Sequence, residues 1–323
     1  MESGEFHIPV LLDEVLKYLS PQPGDIVFDG TLGGAGHTAA IIKAIAPTGK
    51  VIGVDLHSQT LCTAASRLGS LAANLIPVND NFANIGQILR RLGIPAINGI
   101  LLDLGLSSFL IDGSGRGFSY LRDEVLDMRF SSSQDLKASD IVNSYSVQKL
   151  EEIFKKYGEE KFSRRIARNI ENRRKKEEIR TTGKLSGIVK DSIPGASLGR
   201  RKGNPAKRVF QAIRIEVNRE LENLDKVIRD GFEALDSGGR MVIISYHSLE
   251  DRMVKERFRE FEGICTCPPG LPVCGCGAVK RAEVLTRRAV MPAQEEKEEN
   301  PRSGSARLRA IKKINEYRKS QKT

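Results

Sequence analysis

Short apolar runs alternate with helical stretches over the first hundred residues of the chain. Four of these runs have the length and composition of buried strands, and they lie at 25–29, 50–55, 75–79 and 99–103. Such alternation is typical of βαβ units. It predicts an α/β protein with a mostly parallel sheet.

The strand pattern is interrupted in the middle of the chain. It stops at Leu104 and returns with a strand at 240–245, which follows a long helical stretch at 206–235. Insertions in surface connections cost little closure entropy, and they often carry specificity. We therefore predict a sheet domain formed by 1–104 and 206–323, interrupted by a mostly helical domain at 105–205.

The last part of the chain continues the alternation of helices and strands. A helix is predicted at 249–261, followed by two strands at 283–290 and 306–314. The acidic run at 295–299 would lie in the turn between these strands. We interpret this run as a solvated connector.

The composition is that of a soluble globular protein, because 40% of the 323 residues are hydrophobic and 28% are charged. No apolar run approaches the roughly 18 residues that span a bilayer. The start of the sequence also lacks the basic and apolar regions of a secretory signal. We therefore expect a cytoplasmic protein without a membrane partner.

Positive charge is concentrated in one segment. The formal net charge is +10, and residues 155–208 alone contain 18 Lys and Arg against 6 Asp and Glu. The rest of the chain has 33 basic and 35 acidic residues, so it is almost neutral. A basic segment on a neutral protein is typical of a nucleic-acid contact, and this segment lies mostly in the predicted insertion.

One helix of the basic segment has two different faces. Phe162, Ile166 and Ile170 recur every four residues as a core-facing row, and Arg164 and Arg168 fall on the opposite side. Such a helix can pack and bind phosphate at once, although a solvated charged face explains any single arginine equally well. The candidate RNA-binding residues are Arg164, Arg168, Lys175, Arg200, Arg201, Lys207 and Arg208.

A glycine-rich loop follows the first strand. The strand ends at Asp29, and residues 30–37 read Gly-Thr-Leu-Gly-Gly-Ala-Gly-His before a helix begins. Glycines there let the backbone approach a ligand, and Asp55 after the second strand could accept hydrogen bonds from a ribose. The loop alone does not distinguish NAD from S-adenosylmethionine. An acid placed before the glycines is typical of methyltransferases, because it can meet the cationic end of the cofactor, so Asp29 favours S-adenosylmethionine.

Short motifs spread along nearly the whole chain occur together in one known family. The most specific read Ile-Ser-Tyr-His-Ser-Leu-Glu-Asp-Arg at 244–252 and Asn-Pro-Arg-Ser at 300–303. Others lie at 7–14, 29–37, 81–82, 99–105, 107–108, 116–119, 126–129, 157–160, 205–208 and 210–212. With these motifs in this order, the chain resembles the bacterial MraW/RsmH family of 16S ribosomal RNA (cytosine-N4)-methyltransferases.

The resemblance implies a class I, Rossmann-like methyltransferase domain that uses S-adenosylmethionine and is interrupted by a helical insertion. It implies methylation of a cytosine N4 amino group in the decoding region of 16S ribosomal RNA within the small ribosomal subunit, and it leaves a homodimer open. Phe82 would lie against the adenine. With the loop residues, the candidate cofactor contacts are Asp29, Gly34, Ala35, Gly36, His37, Asp55, Phe82 and Asp103.

The chain departs from the family pattern at several positions, and two of them are single replacements. Leu110 stands where a glutamine near the cofactor is usual, and Gly304 replaces a usual arginine. A non-enzymatic or retargeted RNA-binding paralogue on the same fold would follow if the Leu110 change abolished cofactor binding. Failure to bind S-adenosylmethionine would favour that alternative.

Methyl transfer to an amino nitrogen needs positioning and hydrogen-bond acceptors but no covalent nucleophile. A cytosine C5 methyltransferase would need a cysteine, and none lies near Asp103, which favours N4. Asp103, Ser107 and Ser108 are candidate acceptors for the amino hydrogens. Tyr246 and His247 could stack on or bind the flipped base, and His247, the fourth catalytic candidate, could equally orient its loop.

Two further possibilities remain open from the sequence. An NAD-dependent oxidoreductase would fit the loop, but it would have no use for the basic insertion, and affinity for NAD would identify it. The Cys-x-Cys pairs are spaced less regularly than zinc ribbons, so we predict a reduced loop without metal while leaving zinc as an alternative. The cysteines concerned are Cys265, Cys267, Cys274 and Cys276.

Overall fold

The computed structural model describes residues 9–106, 110, 113–195, 204–264 and 279–317. Contacts between Cα atoms divide the chain into two units. The sheet unit comprises Met1–Gly105 and Glu222–Thr323, and the helical unit comprises Leu106–Leu221. In the sequence, the helical unit therefore interrupts the sheet unit soon after the fourth strand.

The strands of the sheet unit lie close to most of their predicted positions. They are β1 (Ile26–Asp29), β2 (Lys50–Asp55), β3 (Leu75–Asn79), β4 (Ile97–Asp103), β5 (Leu235–Ser245), β6 (Lys280–Val284) and β7 (Arg307–Tyr317). Within the described residues they form one seven-stranded sheet in the order β3-β2-β1-β4-β5-β7-β6. Strands β1 to β5 run parallel, whereas β7 is antiparallel to both β5 and β6. The predicted mostly parallel, Rossmann-like sheet is confirmed.

Helices connect most of the strands and also form the bulk of the helical unit. In chain order they are α1 (Leu12–Leu19), α2 (Gly36–Ile45), α3 (Ser58–Leu68), α4 (Ile85–Leu92), α5 (Ala138–Ser144), α6 (Val147–Lys156), α7 (Ser163–Arg174), α8 (Thr182–Asp191), α9 (Ala206–Asn218), α10 (Glu220–Ala234), α11 (Ser248–Phe261) and α12 (Gln294–Glu299). Across the described ranges, none of these helices combines the length and the apolar character needed to span a bilayer.

Both faces of the sheet are covered, and consecutive strand residues are buried on opposite faces. Val27 and Leu101 belong to one apolar cluster, to which α1, α2 and α3 also contribute. Their neighbours Phe28 and Ile100 belong to a second cluster, which includes residues of α4, α10 and α11. This burial on two sides explains why the strands consist of nearly continuous apolar runs, as is usual for parallel sheets.

The helical unit has an apolar core of its own, formed by residues of α5 to α9 and the segment before them. The predicted two-faced helix is α7. Ile166 and Ile170 are fully buried, and Phe162 is half-buried just before the helix begins. Arg164 and Arg168 are exposed. The predicted core-facing row is confirmed, and the arginine face remains open to solvent or to a ligand.

The helical unit extends to Leu221, beyond the boundary at 205 expected from the sequence. The stretch at 206–235 forms two helices rather than one, because Arg219 between them has a left-handed φ of 49°. Val209 and Ile213 of α9 are buried in the core of the helical unit. The apolar pattern of α9 shows that this helix packs against something, but it does not show which core it joins.

One prediction for the C-terminal part is wrong, and a second is correct in position but not in secondary structure. The strand expected at 283–290 ends at Val284, and Val290 forms only an isolated bridge with Leu308. The acidic run connects β6 to β7 as predicted, and three of its four glutamates are exposed, but it forms the helix α12 instead of a turn. An acidic first turn favours a helix through the partial positive charge at its N-terminus. Glu296 is half-buried, and its Oε1 accepts a hydrogen bond of 2.8 Å from the Leu11 amide.

Candidate functional site

The candidate residues of the sheet unit lie at the carboxyl ends of its parallel strands. Asp29 ends β1, Asp55 ends β2 and Asp103 ends β4. Strand β1 lies between β2 and β4, so the chain leaves β1 toward one side of the sheet and later enters β4 on the other. Open α/β sheets bind their ligands in the crevice at such a switch point.

Asp29 anchors the glycine-rich loop. Only 1% of the residue is exposed, and its carboxylate accepts hydrogen bonds from Thr38 Oγ1 at 2.6 Å and from the Thr31 amide at 3.1 Å. Burial raises the pKa of Asp29 above its ordinary value, and the bond from Thr38 opposes this shift. Direct contact between Asp29 and a cofactor would need surface that this geometry does not offer. In this geometry Asp29 holds the loop, and its contact with a cofactor stays a prediction.

Thr31 connects the loop to the end of β4. Its hydroxyl accepts a hydrogen bond of 2.7 Å from the Asp103 amide, and it donates one of 3.4 Å to Asp29 Oδ1. The ends of β1 and β4 are thus linked through one threonine. This link fixes the backbone from which the Asp103 side chain extends.

Close packing explains two of the glycines in the loop. A Cβ on Gly36 would lie 2.5 Å from Pro9 Cγ. A Cβ on Gly30 would lie 2.5 Å from Leu102 Cδ2 and 3.0 Å from Phe82 Cβ. Neither position accepts a side chain unless its neighbours move.

We expect Gly30→Ala to destabilise the protein by about 1 to 3 kcal/mol, because the added methyl group overpacks against Leu102. Thermal unfolding of the purified variant measures this change. Gly187→Ala in α8 is the matched control, because nothing lies within 4 Å of its added Cβ. That variant should be unchanged or more stable by up to about 1 kcal/mol. Equal melting temperatures for the two variants would contradict the close packing at Gly30.

Asp55 presents hydrogen-bond acceptors at the end of β2. Its Oδ1 accepts a bond of 2.9 Å from the His57 amide, and its Oδ2 accepts one of 3.2 Å from the amide of Gly33, a loop glycine with a φ of 47°. Burial raises the pKa of Asp55, and these two amides oppose the shift. The residue is only half-buried, and each carboxylate oxygen has a second lone pair. Hydroxyl groups of a ligand can therefore bind to it.

His37 joins the start of α2 to the N-terminal segment. Its ring is buried, and its Nε2 lies 2.9 Å from the Val10 carbonyl oxygen. A carbonyl oxygen only accepts hydrogen bonds, so Nε2 carries the hydrogen and donates. Its Nδ1 lies 3.9 Å from Asp103 Oδ2. His37 therefore helps to hold the loop and also lies near the carboxylate of β4.

Asp103 combines a fixed orientation with an accessible carboxylate. The Tyr246 hydroxyl donates a hydrogen bond of 2.7 Å to Asp103 Oδ1. The Asp103 side chain is 22% exposed, in contrast to the enclosed Asp29. Burial, followed by the adjacent charge of Asp103, raises the pKa of Tyr246. The phenol therefore stays protonated and remains the donor of this bond.

His247 forms part of a helix cap. Its Nδ1 accepts a hydrogen bond of 3.4 Å from the Glu250 amide at the start of α11. In return, Glu250 Oε2 accepts bonds of 2.8 Å and 3.2 Å from the amides of Tyr246 and His247. This reciprocal cap holds the segment that contains Tyr246. Of the two roles considered for His247, the geometry supports orientation of the loop.

The structure brings one group of predicted residues together at the strand ends and the adjoining loop of the sheet unit. They are Asp29, Gly34, Ala35, Gly36, His37, Asp55, Phe82 and Asp103. Other candidates lie outside the described residues. They are Ser107, Ser108, Arg200, Arg201, Cys265, Cys267, Cys274 and Cys276.

The RNA-binding candidates of the helical unit that the structure describes are all exposed, and they are Arg164, Arg168, Lys175, Lys207 and Arg208. Two of them have partners within the unit. Lys175 Nζ lies 3.6 Å from Glu171 Oε1, and Arg208 Nη1 donates a bond of 3.3 Å to the Glu159 carbonyl. Both contacts are at the surface, where they compete weakly with a ligand.

Leu110, which departs from the family pattern, is buried in the apolar core of the helical unit. A leucine suits this environment better than an unpaired glutamine, because burying an amide without partners costs free energy. The substitution therefore fits the packing around it. Its effect on a ligand remains a question for binding experiments.

Sequence reasoning missed the two threonines that hold Asp29 and the bond between Tyr246 and Asp103. Thr31 and Thr38 lie two and nine residues after Asp29. Hydroxyl groups this close in sequence to a strand-end acid were the signal that could have predicted these hydrogen bonds. Tyr246 is separated from Asp103 by 143 residues. No local sequence pattern predicts that contact.

Known proteins are similar to this sequence over nearly its full length. The sequence profile of the MraW methylase family matches residues 4–314. Ribosomal RNA small subunit methyltransferase H of Clostridium botulinum (strain Loch Maree / Type A3) is 47% identical over 308 residues, which cover 95% of this chain and 99% of that protein. The protein of the same name from Desulfosudis oleivorans is 44% identical, again over 95% of this chain and 99% of its own length.

A solved structure is similar at a lower level. The crystal structure of an rRNA methylase from Streptococcus thermophilus aligns with a TM-score of 0.41 and 12% identity, over 94% of this chain and 94% of that chain. A likeness this weak implies nothing further about the chain.

Proposed function

This chain belongs to the MraW methylase family, and from that premise we propose that it methylates the N4 amino group of a cytosine in the decoding region of 16S ribosomal RNA. Its cofactor is S-adenosylmethionine. Two relatives that match 95% of the chain are named as methyltransferases of small-subunit ribosomal RNA, which supports that substrate class. The observation that carries the N4 proposal is the accessible Asp103 carboxylate, held by Tyr246 beside the glycine-rich loop.

The residues at the strand ends fit S-adenosylmethionine. The loop after β1 keeps part of its backbone accessible, because side chains are absent at Gly33 and Gly34. Asp55 would accept hydrogen bonds from the ribose hydroxyls, and the half-buried Phe82 would contact the adenine. When bound, the cofactor supplies a methyl group on a sulfonium, which is open to in-line attack by a nitrogen.

Asp103 is the group that we assign to the cytosine amino nitrogen. This nitrogen gains a carbon and must release one proton, and its lone pair is delocalised into the ring. A carboxylate that accepts an amino hydrogen withdraws the nitrogen from that delocalisation and can receive the proton. Tyr246 already uses one lone pair of Oδ1, so we assign the amino group to Oδ2, which keeps more of its acceptor capacity. Ser107 and Ser108 remain predicted additional acceptors.

The RNA must deliver an unstacked cytosine to this edge of the sheet. A base inside a helix cannot present its amino nitrogen to a methyl donor, so it must be flipped out or already single-stranded. The exposed Arg164 and Arg168 on α7 would bind phosphates and position the strand. Phosphate contacts carry no sequence information, so the choice of cytosine would depend on other residues.

The direct test uses small ribosomal subunits that lack the modification. The protein is incubated with them and with labelled S-adenosylmethionine, and the labelled nucleosides are then separated. N4-methylcytidine is the expected product, and another methylated nucleoside would contradict the N4 assignment. If the folded protein binds no S-adenosylmethionine and transfers no label, the non-enzymatic paralogue becomes the better interpretation.

We expect Asp55→Ala to weaken S-adenosylmethionine binding by roughly 10- to 100-fold, because hydrogen bonds to a charged acceptor contribute about 1.5 to 3 kcal/mol. Isothermal titration calorimetry measures the affinity. Asp25→Ala is the matched control, because Asp25 directly precedes the opposite end of β1 and its carboxylate accepts a hydrogen bond from the nearby Gln22 amide. An unchanged affinity in Asp55→Ala would exclude Asp55 as a ribose contact.

A further inference from the structure

A second candidate binding site lies in the C-terminal part of the sheet unit. It is a cavity of about 220 Å³ between the last two turns of α11, the end of β6 with the residues after it, and β7. We call it the α11 cavity. Its lining includes Lys255, Phe258, Arg259, Val284 and Arg287. It shares no residue with the candidate site at the strand ends.

Three exposed cations of the α11 cavity have no counter-ion. Lys255 and Arg259 are four residues apart on α11, so they are neighbours on one helix face, and Arg287 follows β6. Among the described residues, none of the three forms an ion pair or a side-chain hydrogen bond. Like charges at this helical spacing destabilise each other. An anion bound between them would remove that cost.

The other charged groups around the cavity do not neutralise this cluster. Arg309 also lines it, but Arg309 donates to Asp251 at 2.6 Å and 3.1 Å, so its charge is already compensated. Glu262 is the carboxylate in the lining, and it offsets one of the three free cations. The exposed Arg288 adjoins Arg287 and adds a further positive charge. The cavity therefore has an excess of positive charge.

The composition of the chain outside the basic segment does not explain this positive charge. Residues other than 155–208 contain 33 Lys and Arg against 35 Asp and Glu, so unpaired cations there are not a consequence of overall basicity. Most arginines near α11 are paired, as Arg257 is with Asp225 and Glu260. Arg259 and Arg287 at the cavity have no such partner among the described residues.

We propose that the α11 cavity binds backbone phosphates of the ribosomal RNA substrate, as a second contact in addition to that of the helical unit. The proposal rests on the proposed function, because it takes RNA as the substrate. Three cations on two separate segments suit successive phosphates of one strand better than a single small anion. Such contacts would orient the RNA on the sheet unit without reading its sequence.

The test is the salt dependence of RNA binding, measured with the full-length protein. Lys255→Ala with Arg287→Ala is compared with Lys43→Ala and Arg90→Ala, which also removes one exposed unpaired lysine and one such arginine from the sheet unit. Binding to undermethylated small subunits and to free 16S RNA is measured at several KCl concentrations. Melting temperature and S-adenosylmethionine affinity confirm that both double variants are folded.

The cavity variant should show a shallower slope of log K against log salt by roughly 1.4 to 1.8, since each lost phosphate contact removes about 0.7 to 0.9. The control variant should keep the wild-type slope. The proposal is overturned if the cavity variant keeps that slope, or if the control loses as much. A loss with subunits but not with free RNA would indicate a ribosomal protein as partner and also overturns it.

Failure of the cavity proposal and failure of the proposed function are distinguishable. The slopes report RNA binding and need no methyl transfer. If wild-type protein forms N4-methylcytidine and the cavity variant keeps the wild-type slope, the proposed function is supported and the cavity proposal is contradicted. If wild-type protein binds RNA with a steep salt dependence but forms no N4-methylcytidine, the proposed reaction is contradicted. The cavity proposal is then still decided by the comparison of slopes.

Discussion

Asp103→Ala is expected to lower the rate of methyl transfer by about 10²- to 10⁴-fold, the range associated with a positioned proton acceptor. The carboxylate ends β4 within hydrogen-bond distance of Tyr246, and 22% of its side chain is accessible. The variant loses the only charged acceptor that we assign to the cytosine amino group. Single-turnover methylation of undermethylated small subunits at saturating cofactor measures the effect. Asp103→Asn separates charge from shape, because the amide keeps the size of the carboxylate.

Tyr246→Phe shows whether Asp103 acts in a fixed orientation. The variant keeps the ring but removes the hydroxyl that donates to Asp103 Oδ1. We expect kcat to fall about tenfold, the value of one hydrogen bond of about 1.5 kcal/mol, while KM for RNA and cofactor affinity stay unchanged. A purely structural role would instead lower the melting temperature and raise KM. For the first variant, full activity of Asp103→Ala with cofactor bound would disprove the assignment of Asp103 as the acceptor for the cytosine amino group.

Asp251→Ala should be the most destabilising single change among the charged residues discussed here, at about 3 to 5 kcal/mol. The side chains of Asp251 and Arg309 are 11% and 10% exposed, and two hydrogen bonds of 2.6 Å and 3.1 Å join them. Alanine leaves the Arg309 charge in the protein interior without its partner. Thermal unfolding should show a decrease in Tm of roughly 6 to 20 °C. The double variant Asp251→Leu with Arg309→Met removes both charges and should lose much less.

The same ion pair predicts a pH dependence of stability. Burial opposes ionisation of Asp251, but Arg309 and Arg307 outweigh it and hold the pKa of Asp251 below its ordinary value. An acid with a lowered pKa in the folded state stabilises the fold above its unfolded pKa of about 3.9. This contribution is lost as the pH falls through the folded-state pKa. Urea unfolding at pH 7 and pH 3 should therefore show a larger loss for wild type than for the double variant, and equal losses would contradict this assignment.

The strands around the site could be predicted because their signal is local. A parallel strand covered on both faces needs apolar residues at consecutive positions, so β2 and β3 have the predicted bounds. The same rule failed at 283–290, which lies near the edge of the sheet. There β6 ends at Val284, and an apolar residue such as Val290 packs without continuing the strand. Edge positions depend on partners that are distant in the sequence.

The acids at the strand ends were predictable as a group, but their individual roles were not. Asp29, Asp55 and Asp103 each follow an apolar run, and parallel strands bring their carboxyl ends to one edge. In the sequence nothing distinguishes the buried carboxylate of Asp29 from the accessible one of Asp103. Hydrogen bonds from Thr31 and Thr38 make that difference.

The sequence by itself determined the α/β class, the order of elements around β1 to β4, the interruption of the chain and the family to which it belongs. These properties depend on apolar periodicity and on motifs of a few residues, both of which are local. Only the tertiary structure decided that α9 joins the helical core, that Tyr246 holds Asp103 and that Lys255, Arg259 and Arg287 meet at one cavity. Each of these depends on contacts between segments far apart in the chain, and such contacts are selected by the packing of the whole fold.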